Sequence, residues 1–299
     1  MLATVLRLLI LLELAFYSTL ALHFFDATPL SALLFAVAGV LALRFCLVTL
    51  VYALGRGLRT PAQRLRCGPA LAMSGAEYAA FIANFVLISP FERWWMGGDR
   101  LRPTDGRAPL LLIHGYGCSR AAWWWQRRRL VAAGWCVATI NLEPLYTSID
   151  NYVEPLARRI AEVLAQTGAA QLILIGHSMG GLVARAYLRR HGAAQVQRLV
   201  TLGTPHGGSE LARFGLGENA RQMRPGNEWL ASQGTPPVDT LIIYSAHDNY
   251  VLPPSCLELP GAQRCVLARL GHLAMLFSPR VSQALLERLS RVGDSEQSV

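Results

Sequence analysis

Two long apolar runs at the head of the chain fix its architecture more tightly than any other feature. Leu8 to Phe25 is nearly all apolar, broken by Glu13 and His23, and Leu30 to Leu54 carries no charge but Arg44. Each is about 18–25 residues long, the length that ~30 Å of hydrocarbon requires of a helix. Only Asp26-Ala27-Thr28-Pro29 separates them, so the pair must run antiparallel. The first run alone could pass for a cleavable leader, with Arg7 ahead of it and Thr19-Leu20-Ala21 as a small-residue site. A second run so close behind argues for a membrane hairpin instead, residues 1–55. Arg7 precedes the first helix and Arg56, Arg59, Arg64 and Arg66 follow the second, with no Arg in the turn. By the positive-inside rule both outer ends, and the domain after them, face the cytoplasm. Glu13 and Arg44 inside the runs either pair, snorkel, or mark a functional intramembrane site.

The charge balance says little about partners. The chain has 299 residues and a net charge of +9, and with no Lys all 28 positive charges are Arg. Nearly half of that excess sits in residues 56–66, where it is explained by topology, so nucleic acid is not expected as a partner. Six Cys, no C-x-x-C and no His/Cys cluster argue against a disulfide-dense module and against a metal site. No cofactor is expected either.

Residues 56–107 read as a basic and amphipathic connector. Within it, Ala76 to Trp95 has a helix-like apolar pattern ending in an aromatic–basic cluster. Lying in the membrane interface and packing on the next domain are equally open to it. Pro103-Thr104-Asp105-Gly106 is a turn signal. Beyond it, short aliphatic runs alternate with helical stretches. Strands are expected at 110–114, 136–140, 172–176, 198–202, 240–245 and 264–268. Helices are expected at 121–133, 152–166, 179–190 and 279–292. That alternation predicts an α/β fold, a doubly wound and mostly parallel sheet over residues 108–292, preceded by two transmembrane α-helices. Residues 293–299 are expected to be a flexible tail.

The most informative motif is Gly176-His177-Ser178-Met179-Gly180, placed between an apolar strand and a helix. A G-x-S-x-G in that context puts the serine on a strained turn above the sheet, at a helix N-terminus that favours a developing anion. Side chains at Gly176 and Gly180 would collide with neighbouring elements. Ser178 is therefore the candidate nucleophile.

With His114-Gly115-Tyr116-Gly117, Thr204-Pro205-His206-Gly207-Gly208, the segment Ser245 to Val251 and Gly271-His272, the sequence resembles the α/β-hydrolase superfamily, in its bacterial lipase/esterase branch. The resemblance covers residues 108–292; the apolar hairpin lies outside it. It implies a Ser-acid-His order along the chain, with Asp248 as the acid and His272 as the base. It also implies oxyanion donors from the backbone of Tyr116 and Met179, and scaffolding roles for His114, His177 and His206. Asp239 would lie at the wrong end of the sheet, and Asp150 reads as a helix N-cap. In such relatives the segment after Gly208 introduces a lid, here residues 209–237; an ordinary surface loop is the alternative. Trp123–Trp125 with Arg127–Arg129 suits either lipid headgroups or a buried tryptophan face. The expected function is a membrane-anchored serine hydrolase cleaving carboxylic esters, with an acyl ester or lipid as substrate and a bacterial inner membrane as its place. A thioesterase or amidase would use the same residues, and a non-catalytic membrane accessory protein is the alternative of another class.

Overall fold

The computed structural model describes residues 1–60, 64–104 and 106–294. Asp105 of the expected turn, Pro61–Gln63 of the basic stretch and residues 295–299 of the expected tail lie outside the described residues.

Helices α1 (Leu2–Phe24) and α2 (Pro29–Gly57) form an antiparallel pair. The Thr28 side chain accepts from the Ser31 N–H and Pro29 stands at the first helical position, which together start α2 cleanly. The face of α2 turned inward carries Ala32, Ala36, Val40, Arg44 and Val48, one residue per four. Small residues at that spacing let helix backbones approach in lipid. Tyr17 fills the groove at Gly39, where a Cβ would come within 2.8 Å of its ring. Arg44 donates to both carboxylate oxygens of Glu13, at 3.0 Å to Oε1. Of the three possibilities left by the sequence, these two charges pair. The outward faces are exposed Leu, Phe and Val.

Helix α3 (Cys67–Ile82) continues through a π-helical turn, Ala83–Ile88, and a 3-10 turn, Ser89–Phe91, into the short α4 (Glu92–Met96). By length and composition α1, α2 and the whole Cys67–Met96 stretch are each apolar enough to cross a membrane. The third buries Met73, Glu77, Ala80, Asn84 and Ile88 on one face while Leu71, Leu87 and Trp94 stay exposed. Polar side chains on the buried face mean that it packs on the domain.

The globular part is a parallel sheet of six strands: β1 (Leu110–Ile113), β2 (Val137–Ile140), β3 (Leu172–His177), β4 (Val196–Leu202), β5 (Asp239–Tyr244) and β6 (Gln263–Val266). All match the expected runs within about two residues. Their order is β2-β1-β3-β4-β5-β6, with every pairing parallel. Successive side chains alternate between two cores. Leu110 and Leu112 face the helices α5 (Trp124–Ala132) and α10 (Pro279–Asp294); Leu111 and Ile113 face α6 (Val153–Thr167) and α7 (Met179–His191). Both faces are thus covered, and that is why β1 is an unbroken aliphatic run. Trp123 is fully buried in the first core, while Trp124 and Trp125 are half-buried under the exposed Arg128 and Arg129. The chain leaves β1 toward β2 and returns to β3 on the other side. The crevice at the carboxyl ends of β1 and β3 is therefore the switch point where such sheets bind ligands.

Candidate active site

Ser178 stands between β3 and α7 with φ +55° and ψ −127°, a region costly for any residue with a Cβ. The flanking glycines allow that turn to nest. A Cβ on Gly176 would lie 2.4 Å from the Gly181 nitrogen, and one on Gly180 2.3 Å from the Ile113 carbonyl oxygen. The expected collisions are there. Gly115, in the loop after β1, approaches so closely that its Cβ would lie 2.8 Å from the Ser178 Cβ. Ser178 donates its N–H to the Leu202 carbonyl at 2.9 Å, and its own carbonyl accepts from the Thr204 hydroxyl at 2.9 Å. The serine is thus fixed from β4.

Asp248 follows β5 and is fully buried. Its Oδ1 accepts the N–H groups of Tyr250 (2.8 Å) and Val251 (2.9 Å), and its Oδ2 accepts from His272 Nδ1 at 2.7 Å. That bond puts the proton on Nδ1 and leaves Nε2 as the basic nitrogen. Asn249 Oδ1 accepts the His272 N–H at 2.9 Å, so backbone and ring are both held. Burial works to lower the His272 pKa, but the charge of Asp248, its hydrogen bond and the charge of Glu77 outweigh it. The net direction is above the ordinary value. Ser178, His272 and Tyr116 line one cavity of about 610 Å³.

Three further histidines surround this group. His114 Nδ1 donates to the Gly115 carbonyl at 2.9 Å and Nε2 accepts from Leu142 N–H at 2.9 Å. Burial pushes its pKa down to about 4. Ring nitrogen-15 shifts of His114 should accordingly stay those of a neutral imidazole from about pH 5 to pH 8, the range where an exposed histidine titrates. Burial also holds His177 and His206 well below the usual value. His177 Nε2 lies 3.2 Å from the His272 carbonyl oxygen, and His206 bridges Thr201 and Arg185. Asp239 pairs with Arg198 at the opposite end of β5, as expected. Asp150 is not the helix cap expected of it. Ser148 accepts the Asp150 N–H, and the Asp150 carboxylate instead takes the indole N–H of Trp229 at 2.7 Å. Asp150 lies inside the 3-10 turn Ile149–Tyr152 that leads into α6, so the capping position falls on Ser148 instead.

Met179 heads α7, whose first N–H groups have no partner within the helix. Tyr116 sits in the loop after β1, and its hydroxyl both donates to the Leu216 carbonyl (2.9 Å) and accepts the Leu216 N–H (2.8 Å). The segment 209–237 is thereby tied to that loop. It contains a 3-10 turn (Glu210–Phe214), α8 (Gly217–Gln222) and α9 (Glu228–Ala231), and it contributes Leu211, Ala212, Phe214 and Met223 to the cavity.

Sequence reasoning missed what the N-terminal helices bring. Glu77 of α3 is fully buried and accepts the N–H groups of Leu273 (Oε1, 3.0 Å) and Ala274 (Oε2, 2.9 Å), the residues after His272. Its carboxylate lies so close to Gly271 that a Cβ there would be 2.3 Å from Oε2. Seven residues on, Asn84 contacts Cys118 Sγ (3.9 Å) beside the β1 loop, and burial pushes that thiol up to about 12. Arg59, just past α2, donates to the carbonyls of His247 (2.9 Å) and Asp248. One signal was available: a single carboxylate in an otherwise apolar helical run, with Asn84 two turns on along the same face.

The alpha/beta hydrolase fold family matches residues 108–224. A triacylglycerol lipase of Pseudarthrobacter phenanthrenivorans is 36% identical over 116 residues, covering 36% of this chain and 36% of the lipase. One of Burkholderia plantarii is 36% identical over 116 residues, 36% of this chain and 32% of its own length. The chain thus spans about a third of the length of these curated relatives. The mature Bacillus licheniformis lipase BlEst2 superposes with a TM-score of 0.57 at 19% identity, over 64% of this chain and 96% of that one. Aspergillus fumigatus lipase B gives 0.54 at 16%, over 62% and 53%. At those identities the structural likeness is one of fold alone, and the family match includes Ser178 but ends before Asp248 and His272. Sheet order, the family match over residues 108–224 and the superpositions together give this chain an α/β-hydrolase fold, and the relatives it resembles over that segment are lipases.

Proposed function

We propose that this chain is a membrane-anchored serine hydrolase that cleaves carboxylic esters of lipid-like acyl chains. The observation that carries the reading is the arrangement at the switch point. A serine at φ +55° heads a helix and shares an apolar cavity with a histidine whose Nδ1 is fixed 2.7 Å from a buried carboxylate. A free serine is a weak nucleophile and requires a base, which in turn requires an orienting acid. His272 Nε2 takes the proton from Ser178 as Oγ attacks the ester carbonyl, and Asp248 stabilises the imidazolium. The backbone N–H groups of Tyr116 and Met179 receive the oxyanion, usually the largest electrostatic contribution. His272 then protonates the leaving alcohol, and water repeats the sequence on the acyl-enzyme. The 1–55 hairpin anchors the domain of residues 108–292 from the cytoplasmic side, with 56–107 as the connector and 209–237 as the lid.

The test is covalent. The full chain in detergent and in vesicles should react with a fluorophosphonate at Ser178, and complete failure to label in both would sink the enzyme reading. A p-nitrophenyl ester series run beside acyl-CoA substrates separates ester from thioester cleavage. The anchoring has its own check: alkaline carbonate should leave the protein in the membrane pellet, and release into the supernatant would count against two spanning helices.

A further inference from the structure

We propose that α2 is a wall of the acyl-binding cavity, and that an ester lipid enters sideways from the leaflet, between α2 and the segment 209–237. The inference rests on the serine-hydrolase reading above. Four residues of α2, Leu47, Leu50, Val51 and Leu54, line the cavity that also contains Ser178 and His272. Their spacing of three, one and three puts them on one helix face. A residue sealed into a protein cavity is buried, yet Leu47, Leu50 and Leu54 are 45%, 53% and 42% exposed. The cavity is therefore open along α2, and Phe214, which the 209–237 segment contributes to its lining, is 75% exposed. A mouth rimmed by uncovered Leu and Phe is costly in water and costs nothing against acyl chains.

Depth selects the occupant. Counting from Leu30, about 20 residues cross ~30 Å of hydrocarbon, which places Leu50 near the inner boundary of the leaflet. The ester bonds of glycerolipids lie at that same boundary, between headgroup and chain. The lipid thus meets the cavity with its ester level with the mouth and its chain already among the leucines. The docking of α2 is firm enough to hold such a wall. A Cβ on Gly55 would lie 2.9 Å from the Leu252 side chain, and Arg59 grips the carbonyls of the Asp248 loop. The cavity volume is in the usual range of about 300–1,000 Å³ for sites that enclose an apolar ligand.

The experiment uses the full chain in vesicles of ether-linked phosphatidylcholine, which offers no ester of its own. Leu50→Trp narrows the mouth and Leu50→Ala widens it, with Leu34→Trp, on the exposed far part of α2, as control. The readout is the ratio of kcat/KM for p-nitrophenyl palmitate over p-nitrophenyl butyrate. The expected result is at least a tenfold fall of that ratio in Leu50→Trp, a rise in Leu50→Ala, and no change in the control. Fluorophosphonate labelling gives the folded fraction, and Leu54→Trp replaces Leu50→Trp if labelling is lost. Unmoved ratios in labelled Leu50 variants overturn the proposal and leave the hydrolase reading intact; an unlabelled wild type overturns both. A fluorogenic long-chain diacylglycerol supplies the second arm. It should be cleaved much faster in the same vesicle as the protein than in separate vesicles, and equal rates would overturn lateral entry.

Discussion

Ser178→Ala should lower kcat by about 10⁶-fold, to the level that oxyanion donors and binding alone sustain. The size follows from the cooperation of the group. His272 without an oxygen to deprotonate and Asp248 without an imidazolium to stabilise add almost nothing, so removing the serine removes the contribution of all three. Ser178→Gly should be equally inactive and more stable than the wild type. The wild-type serine holds φ +55°, ψ −127°, a conformation costing of order 1–3 kcal/mol for a residue with a Cβ, and glycine adopts it with little strain. Ser178→Ala keeps the Cβ and keeps the strain. The two inactive variants should thus differ in thermal midpoint, with the glycine higher by several degrees. Equal midpoints would contradict the strained turn, and residual ester hydrolysis within tenfold of wild type in either variant would contradict the nucleophile.

Strands β1 to β5 were legible because they are buried on both faces. Each therefore shows up as a run of aliphatic residues short enough to be a strand, and β1 to β5 were found within about two residues. The turn at Ser178 was legible for a different reason. Gly176 and Gly180 are required by backbone atoms 2.4 Å and 2.3 Å from where a Cβ would stand, so the steric demand is written in the sequence as glycine. Asp150 misled because an aspartate near a helix start suits both capping and a side-chain bond, and only the distant Trp229 decides between them. Glu77 and Arg59 were missed because their partners lie some 190 residues away, and the leucines of α2 because the cavity they line is assembled from distant segments, across an interface that no local pattern encodes. Arg59 is the clearest instance. Its charge was accounted for as a topology signal, and nothing in residues 56–66 distinguishes it from Arg56. Hydrophobic helices next to an α/β domain invite the picture of an anchor, but here Arg59 and Glu77 tie them to the Asp248 and His272 loops.

Glu77→Ala should cost about 10²-fold in kcat while Ser178 still labels, the loss expected when a catalytic group is displaced by about 1 Å. The carboxylate holds Leu273 and Ala274 by their N–H groups at 3.0 Å and 2.9 Å, and a Cβ at Gly271 would reach into it. The His272 loop therefore rests on a helix outside the α/β domain. Alanine leaves two buried N–H groups unpaired, each costing about 1–3 kcal/mol, and the loop must move to find water or another acceptor. Glu77→Gln tests the electrostatic part separately. It retains one oxygen acceptor and removes the charge. Burial raises the Glu77 pKa, but the Leu273 and Ala274 N–H groups and His272 favour its ionised form, and that charge is the smallest of the influences raising the His272 pKa. A negative charge nearby favours imidazolium, so its loss lowers that pKa. The base is active when neutral, and the acid limb of the kcat/KM–pH profile should therefore move to lower pH in Glu77→Gln. A residue that merely filled space would change stability and leave that limb in place. Retention of full kcat in Glu77→Ala, or an acid limb unmoved in Glu77→Gln, would detach the α3 helix from the chemistry and return it to packing alone.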